Sequence, residues 1–497
     1  MGGVIIQTDS NLHLHKKKTR RRRRVTILML LILVAMTHFY HELLNANKRI
    51  TSATLDMLFQ EAVDNANPAA PETITIAYAV SLIMCGDLNH DKPIGGFIDA
   101  ATVLKHSIHK MHERSKYGYK TYVIVHEQAT TCYQPLESRG YEPIIVKHPV
   151  RADEIRGEFL RNNIENEYCC GSAEFVKLHA FNITQHPVVV LLDMDMLMLQ
   201  PMDELFDSML LDPLSEDGAR ARAAVHREAE PFVWQEKGQP MPDKIDAFFT
   251  RDYASSFPGK VPCFQAGLLV LRPSEEAFLE LLDIIREGNY TGDVHPVNEG
   301  WGGKGYGFSI GCKTVQGVVP YFYDVFHPRT AVELDGCIYN HMSLNVKYEK
   351  GGFHFARIKL RSFQKFRGQC RNGRGYNCTD CRATDISQIK SVHFTMCGKP
   401  WSCDPGVPTS NQINTTKCVE FQKLWVDYRL DYERELGTHP PVHRGNFNNE
   451  TYRNGTFQTR IFRGICKNFG GSSNYIPIAR EINQDWSSMQ QSLFDPS

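Results

Sequence analysis

The chain is 497 residues long and carries 56 Lys and Arg against 56 Asp and Glu, a balance that leaves no overall field to draw in nucleic acid or an acidic surface. With 42% hydrophobic residues it has the composition of a globular protein, not of a fibrous or disordered one. Its length suits one large domain with extensions, or two or three ordinary domains.

Charge is nonetheless unevenly placed at the start. Eight of the nine residues from Lys16 to Arg24 are basic, and the following Val25–Tyr40, "VTILMLLILVAMTHFY", contains no Asp, Glu, Lys or Arg. As a helix this run spans ~24 Å at ~1.5 Å per residue, slightly under the ~27 Å of the endoplasmic reticulum bilayer, and Leu43 and Leu44 can extend it. Residues 25–44 therefore read as a signal anchor. The positive-inside rule places residues 1–24 in the cytosol and the rest of the chain in the lumen. A cleaved signal peptide is the rival reading, although no clear small-x-small site follows the apolar run. Residues 45–71, with "NPAAP", read as a short stem.

A lumenal chain is expected to carry glycosylation acceptors and oxidised cysteines. Sequons begin at Asn182, Asn289, Asn377, Asn414, Asn449 and Asn454, and six of the fourteen cysteines (370, 378, 381, 397, 403, 418) fall in one short stretch. There "CTDC" at 378–381 favours disulfides in the lumen and zinc in a reducing compartment.

From residue 72 to about 405, apolar runs alternate with helical patterns. "ITIAYAVSLIM" (74–84), "TYVIVHE" and "PIIVKHP" predict strands, and "DAATVLKHSIHKMHER" (99–114) predicts a helix. "AEFVKLHAFNI" predicts a helix leading into the apolar strand "VVVLLDMDMLML" (188–199). "FQAGLLVLRP" predicts a further strand. The helix after it has Ser274 as N-cap, Phe278, Leu281, Leu282 and Ile285 on one face, and Gly288 as its stop. This alternation predicts an α/β sheet with helices on both faces. In residues 406–497, "CVEFQKLWVDYRLDYERELG" places Phe421, Leu424, Trp425, Tyr428 and Tyr432 at helical spacing, which predicts a packing helix. The tail from 438 on is rich in Asn, Gly, Ser and Pro and reads as loosely ordered.

Within "DMD", strand alternation predicts that Asp193 and Asp195 share one side, with Met194 on the other. Two carboxylates that close repel unless a cation lies between them, and hard oxygen ligands suit Mn²⁺ or Mg²⁺. Three readings stand at this point: an acidic turn of no chemical role, a phosphatase of haloacid dehalogenase type whose first Asp is a nucleophile, and a nucleotide-sugar transferase whose carboxylates hold a metal on the donor diphosphate. The phosphatase reading expects the motif near the start of its domain and Thr or Val where Leu197 stands.

"FVKLHAFNITQHPVVVLLDMDMLML" resembles the core of the glycogenin-like enzymes of glycosyltransferase family 8. "HFTMCGKPW" (393–401) is similar to that family's His-Phe-x-Gly-x-x-Lys-Pro-Trp segment, and "CFQAGLLVLRPS" to its Asn-x-Gly strand ending in Pro-Ser. The resemblance covers roughly residues 74–403 and implies a Rossmann-like fold of GT-A type. It implies that Asp193, Asp195 and His393 ligate Mn²⁺, with Mg²⁺ as the alternative ion. By the same resemblance Lys399 contacts the diphosphate, Lys177 reaches the donor, and Val80 lies where the family holds the nucleobase.

The chain departs from the family pattern in places. Met396 stands at the family's Gly, leaving Gly398 as the candidate for close approach to the diphosphate. Gln265 replaces the Asn that faces the sugar. In "TVQGVVPYFY" Val315 occupies an acidic position beside Gln316, the candidate for lining the sugar and acceptor side. Asp293 or Glu299, in the Gly-rich stretch 291–311, are candidates for the missing carboxylate, with a solvated loop as the equal alternative; the same stretch is also a candidate lid over the donor.

The implied activity is retaining transfer of a sugar from a UDP-sugar to a hydroxyl of a glycan, protein, lipid or small polyol, in the Golgi or endoplasmic reticulum, by a type II membrane protein with a disulfide-rich C-terminal extension. A non-catalytic binder of glycan or nucleotide on the same fold is the alternative.

Overall fold

The computed structural model describes residues 73–437 apart from 86–93, 168–169, 229–239, 254–255, 257–260, 293–298, 308–310, 344–379, 396 and 404–414, together with 465–466, 472–478 and five residues between 36 and 42. Most of the expected anchor at 25–44 thus lies outside the described residues, as do Asn377, Asn414, Asn449 and Asn454 of the sequons, Cys370, Cys378, Asp293 and Met396. Among the described residues no helix is long and apolar enough to cross a membrane. By its contacts the chain divides between Glu72 and Thr73.

The described strands are β1 (Thr75–Leu82), β2 (Gly118–His126), β3 (Glu142–Val146), β4 (Val189–Leu192), β5 (Met196–Met198), β6 (Ala247–Arg251), β7 (Phe264–Leu271), β8 (Tyr290–Thr291), β9 (Gly300–Trp301), β10 (Ala331–Glu333) and β11 (Ser391–His393). Seven of them form the main sheet, in the order β10-β6-β7-β4-β1-β2-β3. β3, β2, β1 and β4 run parallel, β7 runs against β4, and β6 runs against β7. Continuous apolar runs such as "TIAYAVSL" suit these strands because both faces of the sheet are covered. Alternate residues feed two cores. Ala77, Ala79, Val189, Leu191, Leu269 and Leu271 face one way, packed beneath helix α4 (Glu275–Glu287) and helix α5 (Val315–Tyr321). Ile76, Tyr78, Val80, Val190, Leu192, Leu268 and Val270 face the other, under helix α1 (Ile94–His112) and helix α2 (Asp203–Leu210).

Helix α4 follows its local signals. The Ser274 Oγ accepts a hydrogen bond from the Ala277 amide at 3.2 Å, Phe278, Leu281, Leu282 and Ile285 are buried, and Gly288 ends the helix in the left-handed region at φ 63°. Ser274→Ala removes that cap and is expected to cost about 1 kcal/mol of stability, read as a lowered urea midpoint; an unchanged midpoint would show that the cap contributes nothing.

The helix expected before β4 is present, with a tighter winding than an α-helix. Gly171–Asn182 winds as a 3-10 helix, with Phe175, Val176, Lys177, Leu178, Ala180 and Phe181 all buried. Burial around most of its circumference favours no amphipathic α-helix, and three residues per turn eclipse positions i and i+3. Glu174 consequently lies beside Lys177, 3.0 Å away.

A third core joins the C-terminal part to the domain. Helix α6 (Thr415–Glu435) packs Phe421, Trp425 and Val426 against Ala100 and Val103 of α1 and against Leu197, Val392, Phe394 and Trp401. The buried stripe of α6 also includes Gln422, Arg429 and Glu433, which the aromatic pattern alone did not reveal. Disulfides between described cysteines include Cys85–Cys132, Cys263–Cys312, Cys337–Cys381, Cys397–Cys418 and Cys403–Cys466. Cys381 of "CTDC" is therefore a disulfide partner, and both ends of the 397–403 segment are tied to the C-terminal part. Of the described sequons, Asn182 and Asn289 are both exposed.

Candidate functional site

β4 ends at Leu192, and the two aspartates follow it in a turn instead of continuing the strand. The Asp193 amide still donates to the Gly267 carbonyl on β7 at 3.1 Å. The chain then leaves the main sheet as β5 (Met196–Met198), which pairs antiparallel with β11 (Ser391–His393). Register places His393 opposite Met196, and the Phe394 amide donates to the Asp195 carbonyl at 2.9 Å. This short ribbon, and not strand alternation, brings the distant histidine to the aspartates. The site lies beyond the carboxyl end of β4, where parallel α/β sheets take their ligands.

Each carboxylate divides its two oxygens between two tasks. Asp193 Oδ1 meets the Lys177 ammonium at 2.8 Å, and its Oδ2 lies 3.8 Å from His393 Nε2. Asp195 Oδ2 is ion-paired with Lys399, and its Oδ1 lies 3.3 Å from the same imidazole nitrogen. One ligand atom from each of Asp193, Asp195 and His393 falls within 4.8 Å of the others. Thr395, which sequence reasoning missed, places its Oγ1 2.9 Å from His393 Nε2. Two oxygens and one imidazole nitrogen are donors that suit a divalent cation such as Mn²⁺, so the residues present fit the implied metal. A second His and carboxylate group, His106 with Asp431 and Glu435, already holds the Lys110 ammonium, 2.7 Å from Glu435.

The charges are set by these pairings. Burial acts to raise the Asp195 pKa, but Lys399 and His393 outweigh it and hold the carboxyl well below its usual range. Burial likewise acts to lower the Lys177 pKa, but Asp193 and Glu174 outweigh it and keep the ammonium protonated. Three carboxylates, Glu174, Asp193 and Asp195, thus face two ammonium groups, Lys177 and Lys399, an excess of one negative charge among these groups.

The imidazole has one further constraint. His393 is 1% exposed, and a Cβ added to Gly267 would lie 2.4 Å from both its Cε1 and its Nδ1. Gly267 is thus the floor on which the ring rests. Its amide donates to Gln265 Oε1 at 2.7 Å, which brings Gln265 to the rim of the same cradle. Gln316, on α5, accepts from the neighbouring Ala266 amide at 3.3 Å.

The remaining candidates are placed as follows. Gly398 and Lys399 lie on the segment after β11, half-buried. Val80 is packed in the core beneath α1. Val315, at the family's acidic position, is buried at the start of α5. The described part of the Gly-rich stretch is neither a solvated loop nor an open lid. Glu299 and Trp301 are buried, and the Trp301 Nε1 donates to the Cys312 carbonyl at 2.9 Å. Gly300 has φ 85° and meets the Tyr306 backbone.

No family model matches the chain, and no curated protein sequence does. The solved structures that it resembles include glycosyltransferases. An apo structure of WbbM, a bifunctional glycosyltransferase, is 13% identical with a TM-score of 0.35, covering 74% of this chain and 52% of WbbM. Mouse xyloside xylosyltransferase 1 in its apo form is 11% identical with a TM-score of 0.32, over 64% of this chain and 97% of that one. The galactosyltransferase LgtC, in complex with donor and acceptor sugar analogs, is 9% identical with a TM-score of 0.31, over 72% and 95%. TM-scores of this size leave the reading of the site to its own geometry.

Proposed function

We propose that the chain is a divalent-metal-dependent glycosyltransferase of the glycogenin-like type, which moves a sugar from a UDP-sugar to a hydroxyl acceptor with retention of anomeric configuration. The observation that carries this reading is the convergence of Asp193 Oδ2, Asp195 Oδ1 and His393 Nε2, while lysines occupy the outer oxygens of both carboxylates. These three residues would hold Mn²⁺ or Mg²⁺. When bound, the ion supplies a Lewis acid for the diphosphate oxygens on which charge gathers as the glycosidic bond breaks.

The protein's own residues do the rest. Glu174, Asp193 and Asp195 exceed Lys177 and Lys399 by one negative charge, a surplus that would favour a divalent cation here and would still leave positive charge for the donor diphosphate. Lys399, with its side chain 36% exposed, is available to phosphate oxygens, and Lys177 stands on the other flank. Such groups stabilise the leaving diphosphate because they are already oriented before charge develops. Gln265 and Gln316 line the sugar side. With Val315 in place of an acid, no protein base is assigned; the leaving phosphate oxygen takes the acceptor's proton.

The basic run at 16–24 and the apolar run after it support a lumenal, type II setting in the Golgi or endoplasmic reticulum. The acceptor is a glycan, protein, lipid or small polyol.

The test is UDP release from a panel of UDP-sugars with Mn²⁺ and after its removal by EDTA. At least one donor is expected to be hydrolysed or transferred, only with the metal present. Nucleotide binding without release from any donor would favour a non-catalytic binder, the reading suggested by the buried Val315. Hydrolysis of p-nitrophenyl phosphate in place of UDP-sugars would favour the phosphatase.

Gly267→Ala offers a second check. Its methyl group displaces the imidazole, and displaced ligand orientation costs about tenfold or more in metal affinity. Calorimetric titration with Mn²⁺ should show that loss in a protein that still folds; unchanged affinity would remove His393 from the ligand set.

A further inference from the structure

Helix α6 holds the segment that carries Lys399 from three consecutive positions on one face. Cys418, Gln422 and Trp425 recur at i, i+4 and i+7, the spacing of a single helical face. Cys418 is disulfide-bonded to Cys397. The Gln422 Nε2 donates to the Gly398 carbonyl at 2.7 Å. The ring of Trp425 lies 5.7 Å from that of Trp401. The residues held in this way fall on both sides of Lys399, whose ammonium lies over the Trp401 ring at 5.7 Å and is paired with Asp195.

Gln422 itself is 0% exposed. An apolar side chain of the same size would fill its space equally well, but a carbonyl facing the helix within this packed region needs a donor. The amide therefore has a task that packing does not explain. It fixes the peptide that joins Gly398 to Lys399, and a displacement there is transmitted to the ammonium.

We infer that Gln422 is a positioning residue, which from α6 aims the Lys399 ammonium at Asp195 and at the donor diphosphate. The diphosphate half of this statement rests on the function proposed above; the Asp195 half does not.

The test uses Gln422→Met in the full chain, which keeps length and volume but loses the donor. Its first readout is the acylation rate of Lys399, followed by mass spectrometry against exposed Lys147 as internal reference. Freed from the clamp, Lys399 is expected to react about fivefold faster, the worth of one net hydrogen bond, while Lys147 is unchanged. Gln422→Leu removes the same donor with a different apolar shape and should give a rise in the same direction, which decides the matter if Gln422→Met does not fold.

The second readout is the affinity for UDP with Mn²⁺. It is expected to weaken about fivefold in Gln422→Met and to weaken no further when that change is added to Lys399→Met, because the two residues act through one interaction. A merely structural role would give additive losses. Lys399 reactivity unchanged in both folded variants, or additive losses in affinity, would overturn the inference. Should the unmodified protein bind no UDP with Mn²⁺, the proposed function falls, and Lys399 reactivity still decides the role of Gln422.

Discussion

Asp195→Asn is expected to lower sugar transfer by about a thousandfold or more, since it removes an anionic ligand from the centre of the electrostatic machinery. The substitution keeps the side chain's shape. It leaves the Asp195 backbone carbonyl free to accept from Phe394 as before, so the β5–β11 ribbon is untouched. Lys399 loses its charged partner but is open enough to be solvated. The thermal midpoint should therefore shift by no more than about 2 °C, the range of changes that leave packing intact. Activity within about tenfold of the unmodified protein would exclude Asp195 as a metal ligand, because single charge-stabilising groups already contribute about a hundredfold.

The second large effect is on stability. Arg251, on β6, is buried between two carboxylates: its Nη2 donates to both oxygens of Asp324 at 2.9 and 2.7 Å, and its Nε donates to Glu333 at 3.1 Å. All three side chains are at most 3% exposed. Tyr306, from the Gly-rich stretch, donates to Asp324 at 2.9 Å, so the network also secures that stretch to the sheet. Arg251→Met leaves two buried carboxylates without their cation and is expected to cost about 3–5 kcal/mol in urea unfolding at neutral pH.

The pH dependence of that loss has a defined sign. Burial holds the Glu333 pKa above its usual value even beside Arg251, and removal of the cation raises it further. The folded variant then binds a proton that the unfolded chain does not, so its stability is lowest above the folded pKa and improves as pH falls towards the unfolded value of about 4.3. The deficit relative to the unmodified protein should shrink between neutral pH and pH 5. A loss below about 1 kcal/mol, the range of a solvated pair, or a deficit that grows on acidification, would contradict this account.

Much of this could be read from the sequence where the cause is local. The apolar runs of β1, β4 and β7 announced strands buried on both faces. Ser274 and Gly288 bounded α4, because capping and the left-handed stop depend only on neighbouring residues. The aspartates and His393 were legible through motif resemblance, yet the reason for their meeting was not. It lies in two three-residue strands, β5 and β11, whose pairing spans almost two hundred positions and leaves no periodic trace in either segment. Strand alternation predicts both aspartates on one side of a strand; they occupy the turn that frees β5 to make that pairing.

Elsewhere long-range packing overrode local pattern. Residues 171–182 carry an α-helical pattern, but burial on most sides accompanies a tighter winding, which sets Glu174 beside Lys177. The Gly-rich stretch reads as solvated, whereas Trp301 draws its described part into the core. Gln422, Arg429 and Glu433 are polar and look like the wet side of α6; Gln422 is buried against the Gly398 carbonyl, and Arg429, ion-paired with Glu433 one turn further along α6, is buried beneath the Tyr475 ring. Thr395 gave no signal of its own, and Gly267 was legible only as the glycine of the segment similar to Asn-x-Gly, since a glycine's value as a floor appears only once the imidazole above it is in place.

Pulsed electron paramagnetic resonance of Mn²⁺ bound together with UDP tests the metal assignment most directly. The account predicts hyperfine coupling to a single imidazole nitrogen, lost in His393→Gln, and weakened metal binding in Asp193→Asn. Manganese bound without nitrogen coupling in the unmodified protein, or coupling that survives His393→Gln, would contradict it.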